Sequence, residues 1–307
     1  MSGGLALLLD ILIHNLLPIF LVAGAGFVLG RTARPDLTTL SRVTFYILSP
    51  CFVYSTLLAT RLSLDELGRM VAFAAAVILV SGLLAWVMAR LLRLSQTLTS
   101  AFLLVNLFGN TGNYGISLNQ LAFGEAAAAR ASIYYVCSTV LVYSLGVFIA
   151  ARGQAEPRRA LTNALKVPAL YAVLLAIAAK TGGWQLPPPV DVAIGLLGQA
   201  AIPVMLLVLG VQLARTTRIE QPGSVAAATA LRLLSGPLIG LSLASALGLT
   251  GPARQAGIIE ASMPPAVINT ILALEYGSAP GFVTSTVFVA TLLSPATLAI
   301  ILAWLKA

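Results

Sequence analysis

Between Asn106 and Asn119 an otherwise apolar run carries four asparagines and three glycines. Gly109, Gly112 and Gly115 lower helical propensity, and the side-chain amides of Asn110 and Asn113 compete for the backbone's own hydrogen bonds. A continuous helix is therefore not expected from Leu104 to Gln120. In hydrocarbon an unpaired backbone amide is expensive, so unwound chain at membrane depth must be buried in protein or line a watery cavity. A second break is expected where Pro264 and Pro265 interrupt the run from 253 to 276, with Glu260 one turn before it and Asn269 just after.

Two half-helices whose N-termini meet at mid-membrane offer free amides and a positive dipole end, which suits a carboxylate. Asn110, Asn113 and Asn269 would add neutral hydrogen bonds of about 1 kcal/mol each, a sum compatible with reversible binding. The same amides have a plainer use in satisfying the unwound backbone, and the glycines in close helix packing. Glu260 as a bare charge at a helix centre would cost about 2.5–3.5 kcal/mol, so it is read either as a proton or sodium site or as one half of a structural pair. Arg232 has two readings, a counter-ion for a bound anion or a side chain snorkelling to the cytoplasmic surface, and the second is favoured, as it is for Arg42. His14, the only histidine, is read as a solvated interfacial residue rather than a pH sensor. Cys51 and Cys137 lie in apolar runs and read as small hydrophobes, with no metal site. Catalysis would need a nucleophile with a base, or a second carboxylate, at the breaks; neither is present, so no enzyme is expected.

The elements that must position these residues follow from composition. Of 307 residues, 59% are hydrophobic and 9% charged, and the mean hydropathy is +0.96, which excludes an ordinary soluble domain. The first apolar run, Leu5 to Gly30, lacks a basic leader and is too long for a signal core, so it is read as a retained span. Apolar runs fall near 5–30, 37–60, 67–91, 97–122, 125–151, 163–181, 190–214, 222–249, 253–276 and 279–305, giving an all-α polytopic membrane protein of ten transmembrane helices. Arg31, Arg34, Arg90, Arg93, Arg152, Arg158, Arg159, Lys166, Arg215 and Arg218 cluster at the odd-numbered connections. Arg61, Arg69, Arg130, Lys180 and Arg254 mark the even ones. The odd connections are thus cytoplasmic and both termini extracytoplasmic. This placement accounts for the net charge of +8 without nucleic acid.

Pro18 and Pro168, Pro50 and Pro203, and Gly124 and Gly277 recur in order at offsets of 150 to 153 residues. They suggest two repeats of five helices, 1–151 and 163–307, joined by a cytoplasmic linker at 152–162. An odd number of spans inverts the second copy. The interrupted fourth and ninth helices then occupy matching places and are expected to cross. Gly109, Gly115 and Ser117 at the break, with Pro50 and Pro203, are taken as its crossover and hinge positions.

GNTGNYGISLNQLAFGE (109–125), RLLSGP (232–237) and ASMPPAVINTILALEYG (261–277) resemble the auxin efflux carrier family, over essentially the whole chain. That family contains bacterial permeases for malate, malonate and similar carboxylates and the plant PIN auxin carriers. Asn110, Gly112 and Gly115 match its pattern in the fourth span, whereas Ser117 stands where proline is usual. The resemblance implies that Asn110 contacts a substrate carboxylate and that Ser138 in the fifth span lines the pocket. It also implies an architecture like that of bile-acid symporters and sodium/proton antiporters, with one domain moving against the crossover domain. The expected protein is an inner-membrane secondary carrier of small organic anions. Asn110, Gly112, Asn113, Ser138, Pro264, Pro265 and Asn269 would contact the anion, Glu260 would couple to H+ or Na+, and no cofactor is expected. Its partners would be the anion and the lipid bilayer, and monomer and homodimer are both compatible. The alternatives are a proton- or sodium-coupled ion exchanger of the same fold, which would need paired acidic residues in the core, a bile-acid-type sodium symporter of that fold, and a non-transporting sensor.

Overall fold

The computed structural model describes residues 9–60, 63–151, 165–183, 185–215 and 219–306. The linker expected at 152–162 lies outside them, as do Arg61 and Arg218. In chain order the helices are α1 (Leu9–Thr32), α2 (Leu37–Ala59), α3 (Leu64–Leu91), α4 (Gln96–Leu107), α5 (Ser117–Phe123), α6 (Glu125–Ala150), α7 (Pro168–Gly182), α8 (Pro188–Ala214), α9 (Pro222–Ala246), α10 (Gly251–Ala261), α11 (Ile268–Glu275) and α12 (Pro280–Lys306). Seven of them, α1, α2, α3, α6, α8, α9 and α12, are long and apolar enough to cross a membrane. No strand forms among the described residues; the one β-type pairing is an isolated antiparallel bridge between Gly109 and Pro265.

Helix starts follow local chemistry. Ser63 accepts a hydrogen bond from the Glu66 amide at 3.1 Å and Ser95 one from Leu98 at 3.3 Å, capping α3 and α4. Asp36 accepts from Thr38 and Thr39 at the start of α2, and the Thr39 hydroxyl and amide hold its carboxyl below the usual carboxylate range. Pro168, Pro188 and Pro222 open α7, α8 and α9, where the missing amide would have had no partner.

The helices sort into two bundles. In one, α8 lies along α1 and α2, and α7 against α2. In the other, α3 touches α4, α6 and α9, α9 touches α10 and α12, and α6 backs α10. Each bundle turns large apolar side chains outward: Leu21, Leu79, Leu83, Leu196, Leu238 and Ile300 are all more than half exposed. Such an exterior is suited to lipid. The buried core runs through both bundles, with Phe73, Tyr114 and Tyr134 at its centre.

Both expected interruptions are present. α4 stops at Leu107, Phe108–Asn110 is unwound, and a π-helical turn over Thr111–Ile116 leads into α5. α10 stops at Ala261, and Ser262 to Val267 is irregular before α11. Gly124 (φ 79°) closes the first interrupted segment and Gly277 (φ 63°) the second, each in a backbone region that a residue with a Cβ enters only under strain.

Candidate functional site at the helix crossing

The two unwound stretches cross and bond to each other. The Asn110 amide donates to the Pro264 carbonyl at 2.7 Å, and the Ala266 amide to the Phe108 carbonyl at 2.9 Å. Proline at 264 and 265 fits here because the crossing uses the Pro264 carbonyl and asks for no amide from either residue. The Asn269 side chain adds a second donor to Phe108 O at 2.9 Å. Asn269 thereby performs the backbone-satisfying role that the sequence left open for it. The free backbone amides expected there are largely engaged within the crossing.

Arg232 is the residue whose place differs most from the favoured expectation. It does not snorkel: the side chain is 2% exposed and enters the crossing from α9. Nε donates to the Met263 carbonyl at 2.8 Å and Nη1 to the Asn106 carbonyl at 2.7 Å. These carbonyls belong to the C-terminal ends of α10 and α4, where two helix dipoles direct negative ends at one point, so a cation there is favourable. The guanidinium also explains Gly109, since a methyl at that position would overlap Nη2.

On the other side of the crossing, Glu260 reaches from the last turn of α10 to α5. Its Oε1 accepts from Asn119 Nδ2 at 3.0 Å, and the same Nδ2 donates to the Gly115 carbonyl at 2.9 Å. Glu260 is fully buried and its Oε2, which lies against Gly115, has no partner. Asn110 Nδ2, Asn106 Oδ1, Asn119 Oδ1 and Asn269 Oδ1 are also buried without partners. With Tyr114 Oη and Gln120 Oε1, seven of the twelve such atoms among the described residues lie on the interrupted segments, where a folded protein ordinarily leaves few.

The structure brings some of the expected site residues together and leaves others apart. Gly109, Asn110, Pro264, Pro265 and Asn269 meet directly, and Gly115 touches Glu260. Gly112 sits under the Tyr135 ring of α6, whose hydroxyl pairs with Ser49 at 3.2 Å. Asn113 is half-buried and its carbonyl accepts from Ser117 at 2.9 Å, so serine occupies that helical position with its hydroxyl engaged. Ser138 is buried on α6. Pro50 and Pro203 lie elsewhere: Pro50 in the first turn after a π-helical turn of α2, and Pro203 exposed inside an unbroken α8. A cavity of about 350 Å³ lined by Pro50, Tyr54, Pro168, Tyr171 and Ile194 lies between α2, α7 and α8, and no residue of the interrupted segments lines it.

Arg130, read as marking a connection, is instead buried in α6 and paired with Glu66 of α3 at 2.8 Å. Sequence reasoning missed this pair because its members are 64 residues apart. The one available signal was that Arg130 follows Glu125 by more than a helical turn, which puts it inside the span. Asn15 of α1 also bridges the bundles, donating to Leu121 O at 3.1 Å and accepting from Lys306 at 2.8 Å.

A family model described as Membrane transport protein matches residues 11–160 and 158–302. The chain belongs to this family. It is 28% identical over 269 residues to an "Uncharacterized transporter" of Methanothermobacter thermautotrophicus, covering 87% of this chain and 88% of the relative. To a "Putative malonate transporter" of Rhizobium meliloti it is 25% identical over 198 residues, 62% of each. To "Auxin efflux carrier component 1" of Arabidopsis thaliana it is 26% identical over 139 residues, 45% of this chain and 22% of the relative. The resemblance drawn from the three motifs is borne out, and this family member is a multi-pass membrane protein of a transporter family.

Proposed function

We propose that the chain is a secondary carrier that moves a small organic anion, a carboxylate of the malonate, malate or auxin-like class, by alternating access around the helix crossing. The observation that carries this reading is the crossing itself. Two interrupted helices exchange backbone hydrogen bonds there, beside the buried and unpartnered Asn110 Nδ2 and the buried cation of Arg232. Interrupted segments meeting at a crossover are the usual seat of a transport site. The relatives named for malonate and auxin supply the substrate class. Asn110 and Asn113 would bind the carboxylate together with the segment ends around Pro264 and Pro265. Gly112 permits the close approach, and Ser138 lines the path on α6.

In this reading the ten apolar segments are ten spans in two inverted repeats, 1–151 and 163–307, joined by the linker 152–162. The left-handed glycines that close the interrupted segments, 153 residues apart, support it. Both termini face away from the cytoplasm and the membrane is the inner one. The bundle of α1, α2, α7 and α8 moves against the bundle that holds the crossing. The crossing is closed in the present state, with Asn110, Glu260 and Asn269 at most 5% exposed, so the bundles must part to admit an anion.

Binding tests this reading directly. Malonate, malate and indole-3-acetate are titrated against the unfolding midpoint of the purified protein and of Asn110→Ala. At least one should raise the midpoint saturably in the wild type and fail to do so in the variant. Absence of any such shift, or an equal shift in Asn110→Ala, counts against the site.

A further inference from the structure

Glu260 is the one carboxyl that the crossing buries, and its surroundings discriminate between the ions it could hold. Its single hydrogen-bond partner is Asn119 Nδ2, an N–H donor shared with the Gly115 carbonyl, and Oε2 receives nothing. Among the described residues no basic side chain pairs with it. Arg232 on α9 is committed to two carbonyls, Arg130 on α6 pairs with Glu66, and Arg69 on α3 pairs with Asp65. Arg254 of α10 lies over the Trp304 ring and Lys306 of α12 bonds to Asn15. The buried hydroxyls of Tyr114, in the π-helical turn, and of Tyr134, on α6, do not donate to the carboxyl.

A metal cation fits poorly. It would need several oxygen ligands at short range, but Oε1 faces an N–H. The space beside the carboxyl is filled by Gly115, where even a methyl would overlap both oxygens. Among the described residues no group of three or more His, Cys, Asp or Glu side chains is placed to hold a metal. A proton has no such requirement. It neutralises the carboxyl in a dry site, occupies no volume, and leaves the Asn119 bond to Oε1 intact.

We propose that Glu260 is the proton-binding site of the carrier. It holds a proton while the crossing is closed and α10 and α5 are joined through Asn119. It releases the proton to water when the bundles part and the carboxylate can be hydrated. The step is a reversible protonation, carboxylate plus one proton from the aqueous phase giving the neutral acid; one proton crosses with each anion when the loaded carrier closes with the acid neutral and the carrier emptied of both returns with it ionised. The inference rests on the carrier reading for the coupling but not for the proton itself.

The test therefore has two arms. Infrared spectroscopy of the purified full-length protein at neutral pH, where ordinary carboxyls are ionised, should reveal the C=O band of a protonated carboxylic acid. That band should be lost in Glu260→Gln. In proteoliposomes, an inward proton gradient should drive accumulation of radiolabelled malonate by the wild type, and a sodium gradient should not. Glu260→Gln should lose the gradient-driven accumulation, and whatever malonate exchange it keeps should no longer respond to a proton gradient. Three results would overturn the proposal: no protonated-acid band sensitive to Glu260→Gln, retention of proton-driven accumulation by that variant, or accumulation driven by sodium. If no carboxylate moves at all, the carrier reading fails and the infrared arm still decides whether Glu260 holds a proton. Should Glu260→Gln not fold, Asn119→Leu removes the donor that the carboxyl shares with the Gly115 carbonyl and must shift the band; an unshifted band refutes the assignment.

Discussion

Gly109→Ala isolates the contact that holds the crossing together. A methyl on Gly109 would overlap Arg232 Nη2 and sit 3.3 Å from Cζ and from Met263 Cβ. An arginine tip normally yields to such a clash at little cost, but this one is pinned by bonds of 2.8 Å to Met263 O and 2.7 Å to Asn106 O. Reaching ordinary contact distance means moving the guanidinium by roughly 1 Å. That would stretch one or both bonds beyond useful hydrogen-bond length. Hydrogen bonds to a charged group contribute about 1.5–3 kcal/mol each, and the buried cation would be left undercompensated, so a destabilisation of about 2–4 kcal/mol is expected. On the scale of a chain this size that is a fall of roughly 5 °C in the unfolding midpoint in detergent. Gly195→Ala is the control. It lies inside α8 with nothing near its Cβ, and should be neutral or gain about 0.5–1 kcal/mol. The decisive comparison is the Arg232→Met background, where the methyl meets no guanidinium and its cost should largely vanish. A wild-type midpoint for Gly109→Ala, or strict additivity with Arg232→Met, would refute this account of the crossing.

Other contacts make further predictions. Gly210→Ala would drive a methyl into the Ala23 carbonyl of α1, where backbone cannot yield cheaply; a loss of about 2 kcal/mol or more is expected in thermal unfolding, against none for Gly195→Ala. Gly115→Ala would displace the Glu260 carboxyl and break its 3.0 Å bond to Asn119, at a cost of about 1–2 kcal/mol and with a slower malonate flux than wild type. Arg130→Met leaves Glu66 without its 2.8 Å partner; because Glu66 keeps 26% side-chain exposure, a discounted loss of about 1–3 kcal/mol is expected, partly recovered by adding Glu66→Gln in a double-mutant cycle.

The positions of both breaks were legible in the sequence because they rest on local chemistry. Glycines without a Cβ and asparagine side-chain amides between 109 and 113, and two consecutive prolines at 264 and 265, act on the backbone within a few residues whatever the tertiary fold. What the breaks do to one another was not legible. The Asn119–Glu260 bond joins residues 141 apart, and Arg232 reaches a carbonyl 126 residues away. Nothing near Arg232 in the chain distinguishes an arginine bound for two helix C-termini from one that snorkels. Both readings satisfy the rule that a charge in hydrocarbon needs a partner, and only the crossing supplies the carbonyls. Asn269 similarly reads as a ligand for an anion until Phe108 O is placed beside it. The π-helical turns at Thr44–Leu48 and Val142–Gly146 have no sequence signature of the kind that caps and prolines leave.

The central claim is that the crossing binds the transported anion, and malonate flux into proteoliposomes bearing wild type or Asn110→Ala tests it most directly. The Asn110 side-chain nitrogen has no partner in the closed state, so its removal should spare the fold. Loss of one substrate hydrogen bond should nonetheless lower saturable flux about tenfold. Flux in Asn110→Ala at the wild-type rate, from protein with the wild-type unfolding midpoint, would contradict the claim.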